Sequence, residues 1–227
     1  MSAFNLIMLG APGAGKGTQA DRVVHARGIP KISTGDILRE AVAAGTEIGR
    51  LAKAVVDRGE LVGDEVVIGI VQERLARHDA RNGFVLDGFP RTVAQARALD
   101  QMMDGRDPLV VVDIEVPEDV LVRRLLTRMV CESCGATAGG MDGGAAAPEC
   151  RKCGGRLVQR SDDNKSVVLE RLSVYLRQTK PLVEYYRTRP TFRAVDGTQS
   201  PDRVAADLDA AIEATLRGLT AVKAVRS

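Results

Sequence analysis

A glycine-rich segment near the N-terminus has the composition of a phosphate-binding loop. It runs from Gly10 to Thr18 with the order Gly-Ala-Pro-Gly-Ala-Gly-Lys-Gly-Thr, and it directly follows the apolar run Phe4 to Leu9. Glycines let the backbone approach a ligand closely, and successive N–H groups then form a concavity that binds anions. A helix that begins here adds the positive end of its dipole, and Lys16 adds a point charge. The segment predicts a site for nucleotide phosphates rather than a simple chain reversal.

A second apolar run ends in a candidate magnesium ligand. The run Gly83 to Leu86 is followed by Asp87-Gly88-Phe89-Pro90-Arg91. In proteins with a phosphate loop, an acidic residue at such a strand end holds magnesium directly or through water. The alternative is a solvated aspartate at a strand terminus. The neighbouring phosphate loop favours the metal role for Asp87.

Four cysteines occur as two pairs with metal-ligand spacing. Cys131 and Cys134 form one Cys-x-x-Cys pair, and Cys150 and Cys153 form the other, fifteen residues later. This spacing predicts a four-cysteine zinc knuckle or ribbon, with a structural Zn²⁺ because four ligands leave no open position. Unconnected thiols or a redox pair are the alternatives. The segment is poor in basic and aromatic residues, so we expect no nucleic-acid partner.

Arginines occur where other elements could face the phosphate loop. Phosphoryl transfer depends on positioning and on positive charge around the transferring group, and the planar guanidinium binds two phosphate oxygens at once. Taken singly, each is more often a solvated surface residue. The candidates are Arg39, Arg91, Arg124, Arg128, Arg160 and Arg171.

The composition and the net charge limit which other classes of protein the chain could belong to. The chain has 227 residues, of which 44% are hydrophobic and only 3% aromatic, so the core is expected to be aliphatic. A net charge of +2 gives no argument for nucleic acid or an anionic membrane. The N-terminal apolar run is too short for a signal peptide and lacks its basic flank. We therefore expect a cytoplasmic protein without a membrane partner.

The elements that position these residues alternate between strand and helix. Near-continuous apolar runs predict buried parallel strands, and their alternation with helical segments predicts an α/β fold with helices on both faces of the sheet. Strands are expected at 4–9, 31–33, 83–87, 109–115 and 192–195. Helices are expected at about 15–27, from 34, at 48–57, 65–77, 92–103, 118–128, 165–186 and 201–216. Residues 129–160, with a Gly/Ala-rich middle at 135–148, interrupt this pattern as an insertion.

The chain resembles the adenylate kinase family, in the form with a zinc-binding lid. The resemblance covers residues 4–216 and is carried by the Gly10–Thr18 loop, the Ser33-Thr34-Gly35-Asp36 turn and the Leu86–Arg91 segment with Gln95. General phosphate loops have a hydroxyl directly after the lysine. Here Gly17 takes that place and Thr18 follows, which is the form typical of this family.

This resemblance implies the reaction ATP + AMP ⇌ 2 ADP with Mg²⁺, in a monomer with ATP, AMP and ADP as partners. It implies a three-layer α/β/α P-loop core with a five-stranded parallel sheet (1–33, 63–128 and 161–227), an AMP-binding helical insertion (34–62) and a zinc-binding lid (129–160). The implied catalytic residues are Lys16, Arg91, Arg124, Arg160 and Arg171. The implied ATP contacts are Gly13, Ala14, Gly15, Lys16, Gly17, Thr18, Arg124, Arg128 and Gln199. The implied AMP contacts are Thr34, Arg39, Val62, Gly88, Arg91, Gln95, Arg160 and Arg171.

The lid sequence departs from the family pattern. Many members carry an aromatic-histidine pair after the first cysteines, where this chain has Gly135-Ala136-Thr137-Ala138-Gly139-Gly140. The preference for ATP over GTP as donor is therefore left open. A related kinase that uses UMP or CMP, or a GTP:AMP phosphotransferase, is the close alternative, and Thr34 and Gln95 favour AMP as acceptor. A P-loop protein whose ribbon binds nucleic acid is a more distant one.

Overall fold

The computed structural model describes residues 4–106, 108–138 and 149–226, with side chains described up to residue 219. The strands are β1 Phe4–Leu9, β2 Lys31–Ser33, β3 Gly83–Asp87, β4 Leu109–Glu115, β5 Met129–Cys131, β6 Thr137–Ala138, β7 Leu157–Gln159 and β8 Phe192–Asp196. Five of them form one parallel sheet in the order β2-β3-β1-β4-β8, and the three short strands β6-β5-β7 form an antiparallel sheet in that order. The predicted five-stranded parallel sheet is confirmed.

Helices cover both faces of the parallel sheet. Alternate side chains of β1 point to opposite faces. Ile7 packs in a cluster with Val71 and Leu99, whereas Leu6 packs in a separate cluster with Val23. The predicted three-layer α/β/α fold is therefore confirmed. Its core is mainly aliphatic, but the largest fully buried side chains are the aromatic Tyr186, Phe84 and Phe89. The helices are α1 Lys16–Arg27, α2 Thr34–Ala43, α3 Glu47–Asp57, α4 Asp64–Leu75, α5 Val93–Met102, α6 Glu118–Leu126, α7 Lys165–Val174, α8 Pro181–Arg187 and α9 Pro201–Arg226.

Two helical predictions need correction. The segment 165–186 is not one helix, because a π-helical turn, Tyr175–Thr179, separates α7 from α8. In that turn Lys180 N donates to Tyr175 O at 2.8 Å, and Pro181 has no N–H with which to continue the α-helical pattern. The last helix reaches Arg226 rather than Leu216. A single internal glycine, Gly218, costs a helix only about 1 kcal/mol and does not end it.

The strand register brings the candidate site residues to one edge of the parallel sheet. Met8 pairs with Asp87, the last residue of β3, and Leu9 pairs with Asp113, two residues before the end of β4. The carboxyl ends of three adjacent strands therefore lie close to the start of the phosphate loop. In open α/β sheets, ligands bind outside the carboxyl ends of the strands, where the chain crosses to opposite sides. The fold therefore places the Gly10–Thr18 loop and Asp87 at the same crevice.

The insertion at 129–160, which we call the lid segment, contains the antiparallel sheet. Its small cluster of buried residues consists of Cys131, Cys150 and Leu157. Residues 139–148, which include most of the predicted Gly/Ala-rich middle, lie outside the described residues. Within the described ranges, no helix combines the length and the apolar character needed to cross a bilayer.

Helices α2 and α3 pack closely because a glycine lies at their contact. The Thr46 hydroxyl accepts the Gly49 N–H at 3.1 Å and caps α3. A Cβ atom at Gly49 would lie 2.0 Å from the carbonyl oxygen of Ala41 in α2. Such a distance is impossible without moving the two helices apart.

We predict that Gly49→Ala lowers the free energy of unfolding by about 2 kcal/mol, because the new methyl group separates α2 from α3. Gly69→Ala is the matched control, since Gly69 is also helical and a Cβ there meets nothing within 4 Å. The control gains up to about 1 kcal/mol from the helix propensity of alanine. Thermal unfolding of both variants tests this, and equal effects at the two positions would contradict the packing argument.

Candidate active site

The phosphate loop between β1 and α1 has a conformation that requires its glycines. Gly10, Gly13 and Gly15 have φ angles of 134°, 86° and 100°. A Cβ atom at Gly10 would lie 2.8 Å from Ile114 O in β4. Gly15 is the N-cap of α1 and has no side-chain cap, so the first N–H groups of that helix remain directed at the crevice.

Lys16 lies inside this loop, with its ammonium group held by the main chain. Its Nζ donates to Gly10 O at 2.8 Å and to Ala11 O at 2.9 Å. The pKa of Lys16 is lowered to about 8, mainly by burial; Arg91 and Arg171 act in the same direction, while Asp87 and Asp113 oppose the shift. A phosphate bound in the loop would offer this desolvated group a stronger, negatively charged partner.

Asp87 occupies the space beside the position where general phosphate loops have a hydroxyl. A Cβ atom at Gly17 would lie 3.4 Å from Asp87 Oδ2, so a longer side chain would crowd the carboxylate. Thr18, which carries a hydroxyl, lines the same cavity as Asp87. A carboxylate and a hydroxyl next to a phosphate site are hard oxygen donors, which is the donor set that Mg²⁺ takes up while it keeps several waters.

Two adjoining cavities contain nearly all the predicted site residues. Cavity 1 lies against α2, α3 and α4, and its predicted residues are Lys16, Thr34, Arg39, Val62, Gly88, Arg91, Gln95, Arg160 and Arg171. Cavity 2 lies between the phosphate loop and the lid segment, has a volume of about 620 Å³, and contains Gly13, Gly15, Lys16, Gly17, Thr18, Asp87, Arg124 and Arg128 among the predicted residues. Its size is typical of a small-molecule site.

The two cavities meet at a cluster of positive charge. The cationic side chains that line both of them are those of Lys16, Arg39, Arg91, Arg160 and Arg171. These five residues come from separate parts of the chain, and the fold brings them to one crevice. A phosphoryl group passing from a donor in one cavity to an acceptor in the other would pass through this cationic cluster.

Two predicted ATP contacts are not placed at a cavity wall. Ala14 is 2% exposed and packs with Leu125 below the loop. Gln199 directs its Nε2 to Asp207 Oδ2 at 3.0 Å, and it is not among the described residues that line either cavity. The role of Gln199 therefore stays a prediction.

Two adjacent aspartates, which sequence reasoning did not select, hold the arginines in place. Asp162 accepts from Arg160 at 2.9 and 2.7 Å and pairs with Arg171 at 3.1 Å. Asp163 accepts from Arg128 and, at 3.0 Å, from Arg171. The only signal in the sequence was the Asp-Asp pair two residues after Arg160. These contacts fix the guanidinium groups before any ligand binds.

The electrostatics of Asp162 reflect this pairing. Burial alone would raise its pKa, but Arg171 and Arg160 outweigh burial and hold the pKa at about 2. Burial also lowers the pKa of Arg171, to about 10. The ion pairs therefore contribute to stability as well as to the preorganisation of the site.

Main-chain oxygens orient two further arginines. Arg91 Nε donates to Gly88 O at 2.8 Å, and Thr34 Oγ1 donates to the same oxygen at 2.8 Å. Arg124 is 7% exposed, and its Nη1 donates to Gly197 O at 2.9 Å. Both arginines retain N–H groups that are free to bind phosphate oxygens, since a guanidinium carries five.

The four cysteine sulfurs converge on one point in the lid segment. All four Sγ atoms lie within 4.8 Å of one another, with Cys131 and Cys153 3.5 Å apart and Cys134 and Cys150 3.7 Å apart. None is in a disulfide. A tetrahedral ion with Zn–S bonds of about 2.3 Å requires S···S distances of about 3.8 Å. The thiol set therefore fits a structural zinc ion.

We predict that Asp162→Asn destabilises the fold in a pH-dependent way. The ordinary pKa of the group is 3.8, and its folded-state pKa of about 2 lies lower, so the unfolded chain binds this proton more readily. The stabilisation is present above about pH 4 and is lost as the pH falls toward about 2. The loss at neutral pH should be about 2 kcal/mol and should shrink toward zero in acid.

Denaturant unfolding at several pH values measures this difference. Asp202→Asn is the control, because Asp202 is 89% exposed in its ion pair with Arg22 and should change stability by less than about 0.5 kcal/mol. A pH-independent loss in Asp162→Asn would contradict the ion-pair account.

Comparison with known proteins places the chain in a family. The family model described as adenylate kinase matches residues 8–191. The adenylate kinase of Archaeoglobus fulgidus is 51% identical over 216 residues, which cover 92% of this chain and 98% of that protein. That of Thermodesulfovibrio yellowstonii is 50% identical over 218 residues, covering 92% of this chain and 99% of its own length. That of a Geobacillus species is 49% identical over 208 residues, covering 90% and 96%. Together with the cavities that meet at Lys16, this shows that the chain belongs to the adenylate kinase family.

Proposed function

We propose that the chain transfers the terminal phosphoryl group of Mg-ATP reversibly to AMP and so forms two ADP. The proposal rests on the meeting of the two cavities at Lys16, Arg39, Arg91, Arg160 and Arg171. The cluster stabilises negative charge on the transferring group and on both of its partners. Family membership supports the same reaction.

The donor binds in cavity 2. Its phosphates lie in the Gly10–Thr18 loop, where Lys16 exchanges its carbonyl partners for phosphate oxygens, while Arg124 and Arg128 contact the donor from α6 and the base of the lid segment. Asp87, with Thr18 nearby, holds Mg²⁺ through water. When bound, the ion neutralises charge on the donor phosphates. Within the part of the lid segment that lines this cavity, the stretch from Gly135 to Ala138 has only small side chains.

The acceptor binds in cavity 1. Thr34, Val62 and Gln95 face its base, while Arg39 and Arg91 face its phosphate. A nucleoside monophosphate is already ionised at neutral pH, so its attack on the donor needs no general base. The positions of the two histidines are consistent with this. His25 and His78 are both exposed, and neither is among the described residues that line the two cavities.

We assign separate roles to the two insertions in the core. Residues 34–62 form the acceptor-binding subdomain, and the lid segment covers the donor. Closure of the lid segment over cavity 2 excludes water, which would otherwise accept the phosphoryl group in place of AMP. Four uncrosslinked cysteines are typical of a reducing compartment, which supports a cytoplasmic protein. We propose that the protein acts as a monomer, because one chain supplies residues to both cavities.

The direct test is ADP formation from ATP plus AMP, measured in parallel with UMP, CMP and GMP as acceptors and with GTP as donor. We expect AMP to be the best acceptor by kcat/KM. Faster turnover of UMP or CMP would overturn the acceptor assignment, and no turnover of any monophosphate would overturn the reaction.

We predict that Lys16→Met lowers kcat by about 100-fold or more, because it removes one preorganised charge from the transferring phosphoryl group. The melting temperature should change little, since the wild-type ammonium is desolvated at a cost. Lys165→Met is the control because Lys165 is exposed at the start of α7, and it should leave turnover unchanged. Near-normal turnover of Lys16→Met would remove Lys16 from the mechanism.

We propose that the bound metal is zinc and that it stabilises the lid segment, whose buried cluster is too small to fold alone. Cys131→Ser or removal of the metal by a chelator should lower the melting temperature by several degrees. Ser133→Ala is the control, because Ser133 lies between the ligands Cys131 and Cys134 in the sequence but supplies no thiolate. A metal-free sample with an unchanged melting curve would contradict the structural role.

A further inference from the structure

Gln95 is a buried amide whose orientation is fixed by two neighbours. It lines cavity 1, yet the residue is only 1% exposed. Its Oε1 accepts the main-chain N–H of Arg91 at 2.8 Å, and its Nε2 donates to Asp64 Oδ1 at 2.7 Å. A main-chain N–H can only donate, and an ionised carboxylate can only accept. If the amide rotated by half a turn, both hydrogen bonds would be lost. The Nε2 group would then face the Arg91 N–H, and Oε1 would face the Asp64 carboxylate.

Asp64 is held in this position by a second contact. It is the first residue of α4, and its Oδ2 accepts from Thr92 Oγ1 at 2.9 Å. Thr92 Oγ1 in turn accepts the main-chain N–H of Gln95 at 3.2 Å. Asp64 is not among the described residues that line either cavity. It therefore acts on a ligand in cavity 1 through Gln95.

We propose that Asp64 is a positioning residue that sets the acceptor-base preference through the orientation of Gln95. The inference rests on the proposed assignment of cavity 1 to the acceptor nucleotide. After its two bonds, Gln95 retains one N–H on Nε2 and one lone pair on Oε1. A 6-aminopurine offers the complementary edge, with N1 as acceptor and the amino group as donor.

A 6-oxopurine in the same pose offers the opposite pattern. Its N1–H then faces the Nε2–H group, and its O6 faces Oε1, so donor meets donor and acceptor meets acceptor. The mismatch disappears only if the amide rotates, and the Asp64 carboxylate opposes that rotation. Buried polar groups that are left unpaired give strong discrimination between otherwise similar ligands.

The wild-type protein provides the first test, with AMP, IMP and purine riboside 5′-monophosphate as acceptors. The last compound keeps the N1 acceptor but lacks a 6-substituent. We expect kcat/KM to fall in the order AMP, purine riboside monophosphate, IMP, with IMP at least about 100-fold below AMP. IMP used as well as purine riboside monophosphate would overturn the fixed orientation. If AMP itself is not phosphorylated, the proposed function fails instead.

Asp64→Asn provides the second test. The amide that replaces the carboxylate can turn either its oxygen or its amino group toward Gln95, so only the Arg91 N–H still orients the Gln95 side chain. We expect the IMP:AMP ratio of kcat/KM to rise about tenfold and the KM for AMP to rise, with the KM for ATP within about twofold of wild type.

Glu65→Gln is the matched control, because Glu65 is exposed, lies in the same helical turn and carries the same charge. An unchanged ratio in Asp64→Asn, even with lower stability, would overturn the proposal, and so would an equal change in Glu65→Gln. The wild-type comparison tests the amide orientation even if the Asp64 variant does not fold.

Discussion

The rest of this structure depends on keeping several positive charges close together without a bound anion. Lys16, Arg39, Arg91, Arg160 and Arg171 line the same crevice, and neighbouring like charges repel each other. The protein offsets this repulsion in two ways. The carbonyl oxygens of Gly10 and Ala11 hold Lys16, and the adjacent carboxylates Asp162 and Asp163 hold the arginines on the lid side. The free-energy cost of bringing these charges together is incurred during folding, so the side chains are already in position when nucleotides bind.

The fold supplies this site through the edge of its sheet. At the carboxyl end of β1, where the loop begins, Asp87 ends the neighbouring strand β3 and Asp113 lies two residues before the end of β4. The insertions on either side then close the crevice. Helices α2 and α3, in contact at Gly49, bound cavity 1, while the lid segment bounds cavity 2.

Much of this was predictable from the sequence because its signals are local. Buried parallel strands are continuous apolar runs, phosphate loops need glycines at fixed positions, and zinc ligands occur as spaced cysteine pairs. The roles of Asp162, Asp163 and Asp64 were not predictable in this way. Asp64 meets Gln95 across 31 residues of chain, and Asp163 meets Arg128 across 35. An aspartate at the start of a helix ordinarily interacts with the helix dipole or caps the helix, so the sequence around Asp64 does not indicate its contact with Gln95. The π-helical turn before Pro181 was missed because α7 and α8 have similar helical composition.

The two cavities open onto one shared cationic cluster. The most direct measurement is calorimetric titration with a molecule in which two adenosines are joined by a chain of five phosphates. We expect one molecule to bind per chain, more tightly than either ATP or AMP alone, because the linked phosphates occupy the shared cluster while each adenosine fills one cavity. It should also prevent both ATP and AMP from binding. Binding of two molecules per chain, or continued binding of AMP in its presence, would contradict the account.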